Sequence, residues 1–160
     1  MGISRTVLIN TCDELFTEPL RYFGYFLRAN PPKIGDEFWF EKPALSDQDK
    51  HKIIELQPSG FSEDELIDVA VNLIKGKAIL EPDQPGGKDV IVDFVGEYLV
   101  RLSPRIWDKK STTMDFWWHI NTIDEARIAC LDILDKVIHF GIPFLEDNSK
   151  TLKDWLPPES

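Results

Sequence analysis

The sequence predicts an α+β domain: an antiparallel sheet of about four to six strands flanked by an N-terminal helix and a long C-terminal helix, plus a short terminal helix. Three observations predict it. Apolar residues recur at helical spacing near both ends of the chain. Between them lie short aromatic and β-branched segments separated by turn residues. The links among those segments are short, which favours antiparallel pairing, and helices placed before and after the strands favour covering one face of the sheet. A chain of 160 residues suits one domain, expected to span 1–156, with 157–160 as a frayed end.

Each element follows from its local pattern. Ile3 to Phe23 reads as a helix, because Ile3, Val7, Leu8, Cys12, Leu15 and Phe16 form one apolar stripe. Pro19 is expected to end or bend it, since the ring clashes with the carbonyl four residues back, and Gly24 supplies a stop. Tyr25 to Arg28 is aromatic-rich and suits a strand, and Asn30 to Asp36 is turn chemistry. Glu37 to Glu41 is a strand with Phe38 and Phe40 on one side and Trp39 on the other. After a polar connection over Pro43 to Lys50, His51 to Gln57 forms the next strand.

Ser62 to Lys77 carries two opposed signals. Ser62-Glu63-Asp64-Glu65 matches a helix capping box. Ile67, Val69, Val71 and Leu73 alternate as in a strand, and their β-branched content favours the strand. Glu81 to Lys88 is a Pro- and Gly-rich loop. Asp89 to Leu102 is β-prone, with Gly96 as a bend or bulge. Ser103 to Thr113 reads as a polar loop and Met114 to Ile120 as a strand. Thr122 to Phe140 is the clearest helix. It opens with the capping box Thr122-x-x-Glu125, buries Ala126, Cys130, Ile133, Leu134, Val137 and Ile138, and is expected to stop at Gly141 and Pro143. Ser149 to Leu156 suits the short last helix.

Net charge is −10, and the halves on either side of residue 80 carry −4 and −6, so the acid is dispersed. A field of that sign opposes nucleic-acid backbones and anionic membranes, and it steers a basic partner inward. The N-terminus lacks an apolar run of signal-peptide length, and no segment approaches the about 18 apolar residues of a membrane span. A reducing cytoplasm is the expected setting, with Cys12 and Cys130 as small buried hydrophobes.

The chain lacks a Walker A loop, a dinucleotide glycine fingerprint, a nucleophile elbow, HExxH and CxxC. Gly86-Gly87-Lys88 reads as a turn, not a phosphate cradle. Cys12 precedes Asp13 and Glu14, whose charge works against a reactive thiolate. His51, Glu55 and His119 have the residue types of a metal set, but their spacing is commonplace. No metal, cofactor or catalytic residue is therefore expected. His51, Glu55 and Gln57 share one strand face, where Arg101 and Arg105 could add positive charge if their strands are neighbours. The aromatic runs Phe38-Trp39-Phe40 and Phe116-Trp117-Trp118 place Trp on the face opposite their neighbours, as at interfaces and ligand grooves. The candidate interaction or groove residues are thus Trp39, His51, Glu55, Gln57, Arg101, Trp117 and His119.

The order of motifs adds a resemblance. Tyr22-Phe23-Gly24-Tyr25 follows the first helix, and Phe38-Trp39-Phe40 comes next. Ile54-Glu55-Leu56-Gln57 and Val69-Ala70-Val71-Asn72-Leu73 follow. Phe116-Trp117-Trp118 precedes a helix that ends in Gly141-Ile142-Pro143-Phe144-Leu145. This arrangement resembles the bacterial family catalogued as domain of unknown function 4304. The resemblance implies strand for Leu66 to Ile74. It implies no catalytic residues, because the family has no established activity, and Leu80 to Val95 departs from its pattern.

These readings favour a non-enzymatic interaction domain that masks a basic partner, as a toxin immunity protein does. The alternative is a small-ligand or enzymatic groove on the sheet face built from His51, Glu55, Gln57 and Trp117. A third reading is a structural role in which an aromatic face pairs with itself.

Overall fold

A computed structural model describes residues 2–29, 37–44, 51–82, 89–95, 99–108 and 110–147, without the side chains of 77–82, 89–95 and 99. The turn over Asn30 to Asp36, most of the connection before His51, the loop after Pro82, the bend at Gly96 and the helix expected over Ser149 to Leu156 lie outside the described residues. So does the chain end at 157–160.

The chain is α+β. Helix α1 (Arg5–Tyr22) comes first. The strands β1 (Phe26–Arg28), β2 (Phe38–Lys42), β3 (His51–Ser62), β4 (Glu65–Pro82), β5 (Asp89–Val95) and β6 (Leu99–Arg101) follow. A short helix α2 (Pro104–Trp107) and strand β7 (Trp118–His119) lead to α3 (Ile123–Lys136) and α4 (Ile142–Glu146), which a π turn over Val137–Gly141 joins. All strand pairs are antiparallel, in the spatial order β1-β2-β3-β4-β5, with β6 and β7 also on β4.

The capping-box signal at Ser62 proves to be a turn. Glu63 and Asp64 join β3 to β4, and Ser62 Oγ accepts from the Asp64 amide. The strand wins because alternate residues from Leu66 to Ile74 are buried on two faces, and a helix would present them to only one. β4 also runs further than the sequence suggests, taking in Glu81 and Pro82. β3 holds one edge of β4 from Glu65 to Gly76, and β6 and β7 divide the other edge.

One sheet face packs under the helices. Phe38, Phe40, Ile54, Leu56, Val69, Val71, Leu73 and Trp118 meet Leu8, Cys12, Phe16 and Leu20 of α1 and Ala126, Cys130, Ile133 and Val137 of α3. Cys12 and Cys130 are free and buried, with their sulfurs 3.7 Å apart where α1 crosses α3.

Three expectations are corrected locally. Of the two outcomes expected of Pro19, an end to α1 does not occur, since the helix continues to Tyr22. Leu20 is buried in the core and its carbonyl accepts from the Phe23 and Tyr25 amides, so the last turn is held despite the missing proline donor. The stop comes at Gly24, whose φ of 94° lies in the left-handed region. Gly141 and Pro143 do not stop the C-terminal helix, which runs on to Glu146. The π turn widens the backbone there: the Ile142 amide reaches back to Val137, and Pro143 sits in the first turn of α4, where a proline costs least. Of Met114 to Ile120, only Trp118 and His119 are strand. Asp115 instead receives Arg101 and the Trp117 indole, which pulls that stretch off the ladder.

A row of three lysines closes the helix-side core. Lys42 stands opposite Lys52, and Lys52 opposite Lys75. Like charges in neighbouring strands repel, and the C-terminus of α4 answers them. The Lys75 ammonium donates to the Phe144 and Asp147 carbonyls at 2.7 and 2.9 Å and lies 4.0 Å from the Phe144 ring centroid. Lys42 and Lys52 reach the two oxygens of Glu146 at 2.9 and 3.3 Å, and the Tyr25 hydroxyl donates to the same carboxylate. Cations at a helix C-terminus also complement its dipole.

Two predictions test this clasp. Lys75→Met, which keeps the volume but removes the donors, is expected to lower stability by about 2 kcal/mol, read as an earlier urea midpoint. For Glu146, burial pushes the carboxyl up, but the hydrogen bond from Lys42, the charge of Lys52 and the hydrogen bond from Tyr25 outweigh it and hold the group below its ordinary value. Its contribution is therefore complete above the ordinary carboxylate range and is lost as pH falls through the lowered folded value. Thermal melts against pH should show Glu146→Gln less stable than the parent near neutrality, with the gap closing in acid. A constant gap would dismiss the coupling.

Candidate functional site

The sheet face turned away from the helices gathers most of the residues singled out in the sequence. Strand register sets Arg28, Trp39, Glu55, Asn72 and Arg101 in one row across β1, β2, β3, β4 and β6. His51 and Gln57 flank Glu55 along β3 on the same face. Trp39, Ile53 and Ile74 form a second, smaller apolar cluster there. His119 lies two residue positions along β4 from Ala70, opposite Asp68, at the edge of this face.

Two polar networks use these side chains. In the first, Asn72 is the hub. Its amide nitrogen donates to Glu55 Oε1 at 3.0 Å and to Gln57 Oε1 at 2.9 Å, and its oxygen accepts from Arg101 Nε at 2.8 Å. Arg101 also donates to Gln57 and Asp115, and its guanidinium lies 5.0 Å from the Trp117 ring centroid. In the second network, the Glu41 carboxylate accepts from Trp39 Nε1 at 2.9 Å and lies 3.5 Å from both Arg28 and His51. The Ala44 amide donates to His51 Nδ1, so the neutral imidazole carries its proton on Nε2, facing Glu41. Burial works to raise the Glu41 carboxyl, but His51 and Trp39 together bring it below its usual range.

This bonding bears on chemistry. Glu55 is only 2 % exposed and bonded to Asn72, so a substrate has no open approach to it as a general base. His51, Glu55 and His119 do not converge as ligands: they face Glu41, Asn72 and Asp68 respectively. Among the described residues, no group of three or more His, Cys, Asp or Glu side chains could hold a metal. Arg105 does not join the Arg101 network; its backbone amide bonds the Thr113 carbonyl. Burial first, and then the hydrogen bond and charge of Cys130, push the Cys12 thiol well up, with Asp13 adding least.

A second site is open to solvent. A groove of about 410 Å³ lies between β7 and α3, lined by Trp118, His119, Glu125, Ile128, Ala129 and Asp132. The N-cap at Thr122 sets the start of α3, with its hydroxyl accepting from the Glu125 amide and Glu125 reaching back to the Asn121 amide. Trp118 Nε1 donates to Asp132 at 2.8 Å, which fixes the indole against the helix. Ile128 is 70 % exposed and Leu131 54 % exposed on the outer side of α3. The candidate set drawn from the sequence omits this groove apart from His119. A signal for it exists, because Ile128 and Leu131 are apolar yet out of phase with the buried stripe of Ala126, Cys130 and Ile133.

No protein-family model, curated protein or solved structure matches this chain. Among the described residues, no helix is long and apolar enough to cross a membrane.

Asn72→Ala is expected to cost about 2–3 kcal/mol, because it strips a buried carboxylate of an amide donor. Arg101→Ala should cost less but shift the Trp117 indole N–H resonance in a ¹H–¹⁵N spectrum. An unmoved indole would mean that Arg101 and Trp117 do not stack in solution.

Proposed function

We propose that this chain is a non-catalytic protein-interaction module that binds a basic protein partner, as an immunity protein masks a toxin. The observation that carries this reading is the outer side of α3. There, exposed Ile128 and Leu131 stand among Asp124, Glu125, Asp132 and Asp135. Apolar contact area supplies affinity, and surrounding carboxylates select a cationic surface and speed encounter. The tip of the β3–β4 hairpin repeats the combination on a smaller scale, with Phe61 exposed beside Glu63, Asp64 and Glu65.

The charge of −10 works in the same direction. It disfavours nucleic acid and anionic lipid as partners, and the free, buried Cys12 and Cys130 suit a reducing cytoplasm. The inward use of Glu55, Gln57 and Arg101 weighs against the groove reading of the sheet face. Kinship with the domain of unknown function 4304 family belongs to the same proposal and rests on the motifs quoted above.

A peptide array of graded net charge at matched hydropathy tests it. Retention of the full chain should rise with positive charge and fall as salt is added, since exposed charges are screened. Equal retention of acidic and basic peptides would sink the reading.

A further inference from the structure

We infer that the outer stripe of α3, with the β7 groove beside it, is the seat for a basic amphipathic helix of the partner. This rests on the basic-partner reading and names its site. Asp124, Ile128, Leu131 and Asp135 fall at intervals of four, three and four, so they form one line on the helix surface. The line is about 16 Å long at the helical rise per residue. Its two ends are carboxylates and its middle is exposed aliphatic surface. A second, parallel line runs through Glu125, Ala129 and Asp132, with Trp118 below it in the groove. Glu125 and Asp132 are one heptad apart, with the buried Ala129 between them on this line.

The charges around this stripe leave it acidic. Arg127 is turned across to α1, where Glu14 takes it at 3.0 Å. At the C-terminal end Lys136 is shared between Asp132 and Asp135 and stacked over Trp107 at 5.3 Å, and His139 lies 3.0 Å from Asp135. His119 beside the groove is paired with Asp68 at 2.7 Å. The N-terminal half, with Asp124 and Glu125, is thus the more negative half.

The complement follows from this pattern. A partner helix laid along α3 would place a leucine or isoleucine between Ile128 and Leu131, with one aliphatic side chain in the groove. Lysine or arginine about one turn to either side would meet the carboxylates. This is helix-to-helix recognition read through anchors at three, four and seven residues. An extended strand would not match acids spaced by helical turns, because its side chains alternate every residue.

The experiment uses a synthetic peptide of leucine, lysine and arginine patterned as an amphipathic helix, and a copy with every cation replaced by glutamate. Binding to the full chain is followed by calorimetry and by ¹H–¹⁵N shift mapping. The basic peptide should bind, with shifts confined to α3 and β7, and the acidic copy should not. Ile128→Ser, at an exposed position that leaves the fold intact by circular dichroism, should weaken binding about tenfold or more, the loss of one aliphatic burial. Phe61→Ser should leave binding unchanged. Shifts at the Phe61 hairpin or on the helix-free sheet face, with Ile128→Ser still binding, would overturn the α3 seat while the basic-partner reading stands. Failure of the basic peptide to bind a chain that still retains basic peptides on the array would do the same. A dimer in sedimentation that Ile128→Ser converts to monomer would assign the stripe to a second copy of the chain and overturn the proposal.

Discussion

The structure depends on one strand. β4 runs from Glu65 to Pro82, and it is paired along both edges over the stretch where β3 lies on one side and β6 and β7 on the other. Buried backbone donors and acceptors must find partners, so a central strand of this length dictates where its neighbours attach. The N-terminus obeys the same demand. Ile3 exchanges two backbone hydrogen bonds with Leu66, and the Arg5 amide donates to the Glu63 carbonyl, which sets the start of α1 at the hairpin tip. Leu73 on the helix side meets Gly141 in the π turn, where its side chain leaves room for a glycine but would crowd a Cβ at 3.2 Å. The approach of the C-terminal helix is thereby tied to the same strand.

From Val69 to Gly76 both faces of β4 are buried, and each contains polar groups that could have been expensive. On the helix side, Lys75 is fully buried, and the carbonyls that end α4 receive its charge. On the other side, Asn72 is buried and uses its donors and its acceptor at once. A satisfied polar network in a low-dielectric interior holds a unique register, whereas the same groups half-paired would oppose folding. A one-residue slip of β3 on β4 would turn Glu55 and Gln57 to the helix side and leave Asn72 without two of its partners. Register is therefore enforced by polar residues as well as by the apolar pattern.

The same accounting separates the two candidate sites. Trp39, His51, Glu55, Gln57, Arg101 and Trp117 have the residue types of a reactive groove, but their polar atoms are engaged with Glu41, Asn72, Asp115 and one another. Their contribution is to hold five strands in line and to fasten the segment before β7 to the sheet through Arg101, Asp115 and Trp117. The α3 surface has the opposite character. Its exposed aliphatic residues add nothing to the core, and the carboxylates around them give the patch a sign. A helix that spends only its inward stripe on folding leaves its outward stripe outside the core.

The amino-acid sequence by itself determined the class, the helices at either end, the antiparallel pairing and the shared face of His51, Glu55 and Gln57. Those features come from periodicity, turn residues and caps, which act over a few residues. It could not decide between strand and helix after Ser62, since one short hydroxyl serves a cap or a turn equally well. Proline at positions 19 and 143 was misleading for a related reason: its local cost is fixed, but burial of Leu20 and the π turn before Ile142 supply the compensation from elsewhere. The meeting of Lys42, Lys52 and Lys75 at the end of α4 and the Asn72 hub left no local mark. They join residues up to about a hundred positions apart in the chain, as Lys42 and Glu146 are, and only the closing of the sheet under the helices brings such charges within reach of one another.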